Sequence, residues 1–145
     1  MSGITNPTEE YFKDGNWGWD GTQWRKGAIP FAYTTQWYED LGTAAAAGGT
    51  YSKNSAVVPA GYIYVLQALS IENDTGGRGM ARVFARPSGL YTCLGYTLAP
   101  AQFQPTYFSG QVVLKAGDTV LVIQLATVAG DVIYASVIGY KVAIV

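Results

Sequence analysis

The chain has ten acidic residues and no histidine, which limits the chemistry its side chains could perform. Without histidine, the Ser-His and Cys-His nucleophile pairs and all histidine-containing metal sites are excluded. A pair of carboxylates could still hydrolyse a glycoside. The pairs nearest in sequence are Glu9/Glu10, Glu39/Asp40 and Glu72/Asp74. Each pair stands beside a predicted loop or terminus and none shows signs of a buried acid, so we expect a protein that is not an enzyme.

Most aspartates stand next to glycine or asparagine in pairs typical of turns, where the carboxylate accepts hydrogen bonds from nearby backbone N–H groups. Calcium bound by Asp14, Asn16 and Asp20 is an alternative, but the spacing lacks the ordered ligands and terminal glutamate of an EF-hand loop. Cys93 lies inside a predicted strand without a neighbouring base, which favours a small buried core residue. No glycine-rich phosphate-binding motif occurs. We therefore expect neither a metal site nor a cofactor.

Charged residues are scarce, at 13% of the chain against 49% apolar residues, where about a quarter is usual for soluble domains. Residues 87–145 contain only four of them, namely Lys115, Asp118, Asp131 and Lys141. The centres of protein interfaces are depleted of charge, so this half is predicted to supply the core and a subunit interface. An ordinary polar surface of threonine, serine, glutamine and tyrosine is the alternative.

The net charge of −1 and the absence of a basic stretch argue against direct binding to nucleic acid or to an anionic membrane surface. The longest apolar stretches, at 120–129 and 132–145, are interrupted by polar residues and glycine and are too short for a membrane span. Residues 1–10 are polar and acidic, unlike a signal peptide. A single cysteine fits assembly in a reducing cytoplasm.

The chain is rich in β-branched and aromatic residues, and its 18 glycines mostly separate apolar runs, which is typical of strands and turns. Strands are predicted at 29–38, 62–72, 80–86, 90–98, 107–114, 119–127 and 132–144, with a short strand that ends at Val58 and a mobile Gly/Ala loop that reaches Gly49. About eight strands predict an all-β fold, an antiparallel β-sandwich or jelly roll. Nearly continuous apolar runs at 62–71 and 120–126 indicate that both faces of these strands are covered, one of them by an arm, a loop or a neighbouring subunit.

We predict two regions: an extended N-terminal arm with a tryptophan-rich hairpin at 1–27, and the β-sandwich at 28–145. Asp20-Gly21 is a strong hairpin signal between Trp19 and Trp24. Tryptophan and tyrosine are favoured at the centres of interfaces. The residues predicted to anchor subunit contacts are Tyr11, Phe12, Trp17, Trp19, Trp24 and Trp37. Aromatic platforms that stack against sugars are the alternative interpretation.

Three segments carry a family resemblance: 10–26 (EYFKDGNWGWDGTQWRK), 58–65 (VPAGYIYV) and 130–134 (GDVIY) with the later Gly139-Tyr140. In strand pattern and Trp/Gly placement they resemble small virion proteins of tailed phages. In these proteins a short N-terminal region precedes a jelly-roll-like sandwich that is commonly a trimer. The resemblance implies a homo-oligomer, preferably a trimer, that binds the major capsid protein or another virion protein.

These observations predict a non-enzymatic structural protein of a virion that is assembled in the host cytoplasm. The expected role is capsid decoration: the protein oligomerises, binds the shell and stabilises it. A carbohydrate- or receptor-binding jelly-roll module of a phage fibre or tail is the alternative.

Overall fold

The computed structural model describes residues 34–75 and 79–144, together with the backbone of residues 17–19 and 24–26. The strands are β1 (Trp17–Trp19), β2 (Trp24–Lys26), β3 (Thr34–Asp40), β4 (Gly49–Asn54), β5 (Tyr62–Asn73), β6 (Ala81–Arg86), β7 (Thr92–Thr97), β8 (Thr106–Leu114), β9 (Thr119–Thr127) and β10 (Ile133–Ala143). A 3-10 turn at Pro87–Gly89 joins β6 to β7. Among the described residues there is no helix with the length and apolar character that a membrane span requires.

Among the eight strands from β3 to β10, the first pairs with the last, the second with the next to last, and so on toward the middle of the sequence. The antiparallel pairs are β3 with β10, β4 with β9, β5 with β8 and β6 with β7. Two further pairings complete the four-stranded sheets β3-β10-β5-β8 and β4-β9-β6-β7. Nested pairs folded over into two sheets form a jelly roll. The predicted antiparallel sandwich of about eight strands is therefore confirmed.

The core lies between the two sheets and is built by alternation along each strand. In β9, Val120 and Val122 face inward and are fully buried, whereas Leu121 between them pairs with Phe84 and faces the other side of the sheet. Leu69 of β5 and Val137 of β10 are paired across the opposite sheet and are equally buried. Burial of each such side chain contributes about 1.5–3 kcal/mol relative to exposure, so the interior between the sheets supplies the main stabilisation.

A β-bulge at Gln67 divides β5 into two parts with opposite alternation. The pairing with β10 steps from Leu66 directly to Ala68, so Gln67 is an extra residue there, whereas against β8 it lies opposite two unpaired residues, Gly110 and Gln111. A bulge reverses which side chains face inward, and Leu66 and Leu69 consequently both enter the core. Part of the apolar run that indicated two covered faces thus reflects this change of phase.

The predicted strand bounds differ from the structure mainly before β5. The short strand expected to end at Val58 is instead β4, Gly49–Asn54. After Asn54 the chain crosses from one sheet to the other, with Ser55 N bonded to Val120 O at 2.9 Å and Val58 N to Asp118 O at 3.0 Å. Pro59, directly after Val58, has no N–H to continue a ladder. By contrast, β9 has the predicted bounds.

The Gly/Ala loop after β3 was predicted to be mobile, and this is wrong for its first half. Leu41 N, Thr43 N and Ala46 N bond to carbonyl oxygens of the β10 region at 2.8, 2.9 and 2.7 Å. Leu41 and Ala46 are also buried in the core. These contacts tie the loop to the edge of the first sheet. Of the expected strand at 29–38, residues 29–33 lie outside the described part, and β3 continues two residues beyond Tyr38.

The backbone of β1 and β2 forms an antiparallel pair in which Trp19 lies opposite Trp24. This pairing is the hairpin that the Asp20-Gly21 dipeptide predicted. The extended arm at 1–16 lies outside the described residues, and the division of the chain at residue 27 stays a prediction.

Candidate self-association surface

The residues predicted to anchor subunit contacts fall into three groups. Tyr11 and Phe12 lie outside the described residues. Trp17, Trp19 and Trp24 belong to the two paired strands of the hairpin, which the structure describes as backbone. Their role in subunit contacts stays a prediction.

Trp37 is a core residue, so its assignment to an interface is wrong. Its side chain is only 2% exposed and its ring lies 4.9 Å from that of Tyr64. The indole Nε1 donates a hydrogen bond to Glu39 Oε2 at 3.1 Å. The reason is alternation along β3: Trp37 pairs with Gly139 on the inner side of the sheet, whereas Tyr38 pairs with Ile138 on the outer side.

Cys93 was predicted to be buried, and it is exposed instead. The pairing of β6 with β7 steps from Val83–Gly95 to Phe84–Cys93, which leaves Leu94 as an extra residue. Without this bulge Cys93 would share the inward phase of Gly95. The extra residue turns the thiol to the outer side of the sheet, beside Phe84.

The outer side of the β3-β10-β5-β8 sheet exposes large apolar and aromatic side chains, and we call it the tyrosine face. Tyr38 and Ile138 lie opposite each other and are 71% and 44% exposed, and Val113 on β8 is 66% exposed. The full set is Tyr38, Tyr107, Val113, Tyr134, Ile138 and Tyr140. Tyrosine and branched aliphatic side chains at this exposure leave apolar area in water that a second protein surface could cover.

Only two charged side chains among the described residues of these strands point to the tyrosine face, Asp40 and Glu72. Both lie at one end of the face, around a groove of about 290 Å³ that is also lined by Ser70, Tyr134 and Ser136. Asp40 lies in the same cross-strand row as Ser136 and Ser70, and Glu72 lies opposite Tyr134. The face is therefore an apolar stripe with an acidic groove at one end.

The outer side of the β4-β9-β6-β7 sheet has the opposite character, and we call it the arginine face. Its set is Arg82, Phe84, Arg86, Tyr91, Cys93 and Tyr96. Arg82 Cζ lies 4.6 Å from the centroid of the Phe84 ring, and Arg86 Cζ lies 4.4 Å from that of Tyr91. The Phe84 and Tyr91 rings meet edge to face at 5.8 Å. These contacts cover Phe84, which is only 4% exposed although it points away from the core.

The two guanidinium groups have few polar partners. Arg86 donates to Asn54 Oδ1 at 3.3 Å and to Gly89 O at 3.2 Å. The Nε atoms of Arg82 and Arg86 are buried and have no hydrogen-bond acceptor in the part of the chain that the structure describes. No carboxylate of the described residues forms an ion pair with either arginine. Stacked guanidinium groups are held flat and keep N–H donors for a planar anion such as a carboxylate.

Three of the carboxylates considered for catalysis accept backbone hydrogen bonds. Glu39 and Asp40 are adjacent in β3 and point to opposite sides of the sheet; Glu39 Oε1 accepts Ala56 N at 2.9 Å and Asp40 Oδ1 accepts Gly42 N at 2.8 Å. Asp74 Oδ1 accepts Val132 N at 3.0 Å. Glu9 and Glu10 lie outside the described residues. Within residues 34–75 and 79–144, no three His, Cys, Asp or Glu side chains gather as ligands for a metal ion.

The chain is thus a jelly-roll sandwich with two chemically different outer faces. No protein-family model and no curated protein matches its sequence. Among solved structures, it is similar to a chain of the Bacillus endospore appendages, which form a novel family of disulfide-linked pili. That chain is 14% identical, with a TM-score of 0.43, and the match covers 77% of this chain and 89% of that one. A chain of infectious bursal disease virus, Gt strain, is 8% identical with a TM-score of 0.23, covering 77% and 40% respectively.

Proposed function

We propose that this chain is a non-enzymatic structural protein that associates with copies of itself through the tyrosine face. The observation that carries the proposal is the exposure of Tyr38, Ile138 and Val113 on the same outer side of one four-stranded sheet. The charged side chains that point to this side of the sheet among the described residues, Asp40 and Glu72, are confined to one end of the face. A surface of this composition resembles the centre of a protein interface more than a solvated sheet.

The free energy of association would come from the area that the contact buries and from the type of side chain that anchors it. A standard interface buries about 1,600 Å² in total and is anchored by a few buried aromatic side chains. Tyrosine offers a large apolar ring at the cost of only two rotatable angles and keeps a hydroxyl for hydrogen bonds. Four tyrosines occur on the tyrosine face, which provides several candidate anchors. The family resemblance of the sequence favours three copies in the assembly.

The finer proposal is that the assembly decorates and stabilises the capsid of a tailed phage. Its partner would be the major capsid protein or another virion protein, with no direct contact to nucleic acid or membrane and no cofactor. In this proposal Tyr11, Phe12 and the three hairpin tryptophans bind the shell. The support is the sequence resemblance and the concentration of aromatic residues in the first 27 positions. Repeated contacts around each capsomer would resist the outward pressure of packaged DNA.

Two measurements on particles test this proposal. Quantitative mass spectrometry of purified particles should give hundreds of copies per particle, whereas a handful would indicate a tail or fibre component and overturn the decoration role. The full-length variant with Trp17→Ser and Trp24→Ser should fail to bind particles while its self-association is unchanged. Phe103→Ser, at an exposed aromatic residue in the loop between β7 and β8, is the matched control and should bind normally.

A carbohydrate- or receptor-binding module is the second candidate, and one observation favours it. The groove beside Tyr134 combines an exposed aromatic ring with the carboxylates of Asp40 and Glu72 and the hydroxyls of Ser70 and Ser136. Aromatic rings with converging polar groups are the usual components of a small-ligand site. A glycan array with the isolated protein distinguishes the candidates, since a glycan module should show binding that Tyr134→Ala abolishes.

A further inference from the structure

The two outer faces of the sandwich carry opposite charges. Among the described residues, the charged side chains of the strands that point to the tyrosine face are the acids Asp40 and Glu72, and those that point to the arginine face are Arg82 and Arg86. The arginines have no ion-pair partner within their own chain, among the residues that the structure describes. Each face therefore lacks the charge that the other provides.

The spacing of the charges also matches. Asp40 and Glu72 are separated by two strand spacings across the sheet and by two residues along it. At about 4.8 Å per strand and 3.3 Å per residue, their Cα atoms are about 12 Å apart. Arg82 and Arg86 are four residues apart in one strand, which places their Cα atoms about 13 Å apart. Because arginine side chains are long and flexible, Arg82 and Arg86 can reach both carboxylates despite the small difference between these two Cα–Cα separations.

The remaining side chains of the two faces are complementary as well. The arginine face offers the exposed aromatic rings of Tyr91 and Tyr96 beside its cations. The tyrosine face offers the apolar stripe around Ile138 beside its acidic groove. Contact between the two would bury rings against apolar side chains and bring each guanidinium to a carboxylate in the bidentate geometry that arginine favours.

We propose that the occupant of the arginine face is the tyrosine face of a second copy of this chain, with Arg82 and Arg86 paired to Asp40 and Glu72. This pairing presupposes the self-association proposed above and names the surface that the tyrosine face meets. A contact between two different faces is heterologous. It forms a ring if the rotation between successive copies closes and an open row if it does not, and the pairing of faces is the same in either case.

Charge reversal in two separate variants tests the pairing. One variant carries Asp40→Lys with Glu72→Lys, and the other carries Arg82→Glu with Arg86→Glu. Each should be monomeric alone by sedimentation velocity, with self-association weakened at least tenfold, because both of its faces then have the same sign of charge. An equimolar mixture should associate again, because the reversed face of each variant fits the reversed face of the other. The matched control, Lys53→Glu with Lys115→Glu, should associate as the wild type does.

Alkylation of Cys93 gives a second readout that needs no substitution. The exposed thiol lies on the arginine face, so maleimide should react at least tenfold more slowly with the associated wild type than with a dilute, dissociated sample. This comparison remains decisive if the arginine variant fails to fold. Equal rates in associated and dissociated wild-type protein would overturn the pairing.

The outcomes separate the pairing from the proposed function. If folded charge-reversal variants associate as the wild type does, or if their mixture stays monomeric, the pairing of faces is wrong. If Ile138→Lys still disrupts association in that case, the self-association through the tyrosine face stands without this pairing. A wild-type protein that is monomeric at high concentration would overturn both.

Discussion

Asp118 and Asp131 occupy the same position in two turns of identical construction. Each follows an Ala-Gly pair whose glycine has a positive φ, +93° at Gly117 and +95° at Gly130. In each turn the aspartate Oδ2 accepts the backbone N–H of the residue three positions earlier at 2.9 Å. Both carboxylates are buried and also bind a second segment, Ser88 N for Asp118 and the Thr75 hydroxyl for Asp131. The prediction that these aspartates form turns is confirmed.

Asp118→Asn should lower the free energy of unfolding by about 1–3 kcal/mol, because one of two buried N–H donors would then face an amide NH2 group instead of an acceptor oxygen. Chemical denaturation followed by circular dichroism measures the change. Asp40→Asn, at an exposed position with a single backbone donor, should cost much less. Equal losses for the two variants would show that the second contact, to Ser88, contributes nothing.

Gly139 lies opposite Trp37, and the structure leaves no space for a methyl group there. A Cβ at position 139 would overlap Val65 O and lie 3.2 Å from the Trp37 ring. Gly139→Ala should therefore lower the unfolding free energy by about 1–3 kcal/mol or more, as overpacking does. Gly48→Ala is the matched control, since its methyl group would meet ordinary contacts at 3.6 and 3.8 Å. Similar thermal stabilities for the two variants would contradict the close packing around Trp37.

Tyr51 should make the fold sensitive to alkaline pH. Burial, together with the negative charge of Asp40, raises the pKa of Tyr51 above 10.0, and its hydroxyl donates to Leu41 O. The folded protein then holds this proton at pH values where the unfolded chain has lost it. The stabilisation is complete below pH 10.0 and is lost as the pH rises through the higher folded-state pKa.

The variant Tyr51→Phe isolates this effect. It should lower stability by about 0.5–1.5 kcal/mol at neutral pH, through loss of one hydrogen bond, and its stability should fall less than that of the wild type between pH 9 and pH 11, about one pH unit to each side of the reference tyrosine value. Urea denaturation across this range measures both. Tyr96→Phe, at an exposed position, should retain the wild-type pH dependence. An identical alkaline loss in Tyr51→Phe and wild type would exclude Tyr51 as the source.

The strands and turns were predictable where local sequence determines them. The bounds of β9 follow from an apolar run between two glycine turns, and the turn aspartates follow from their Ala-Gly neighbours. The bulges at Gln67 and Leu94 were not predictable, because a bulge depends on the residues of the partner strand. Each reverses the alternation, and the second one explains why Cys93 is exposed.

The sequence predicted that the protein has an apolar interface, but it could not predict which side of which sheet forms it. The scarcity of charge after residue 87 indicated an interface, and two of the four charges there, Asp118 and Asp131, are buried in turns. Which face remains uncovered depends on the pairing of β3, β5, β8 and β10, which brings together side chains from distant parts of the sequence. The burial of Trp37 was not predictable for the same reason, because it depends on the pairing of Trp37 with Gly139 in the distant strand β10. The alternation of Arg82, Phe84 and Arg86 is one signal in the sequence that could have revealed the arginine face.

Sedimentation equilibrium of the wild type and of Ile138→Lys tests the central claim most directly. Ile138 lies at the middle of the tyrosine face, 44% exposed and opposite Tyr38. The wild type should associate at micromolar concentration, and the lysine variant should be a folded monomer because a charge would have to lose its water inside the contact. Val57→Lys, at an exposed position outside both faces, should associate normally. A monomeric wild type, or an Ile138→Lys variant that associates as well as the wild type, would contradict the claim.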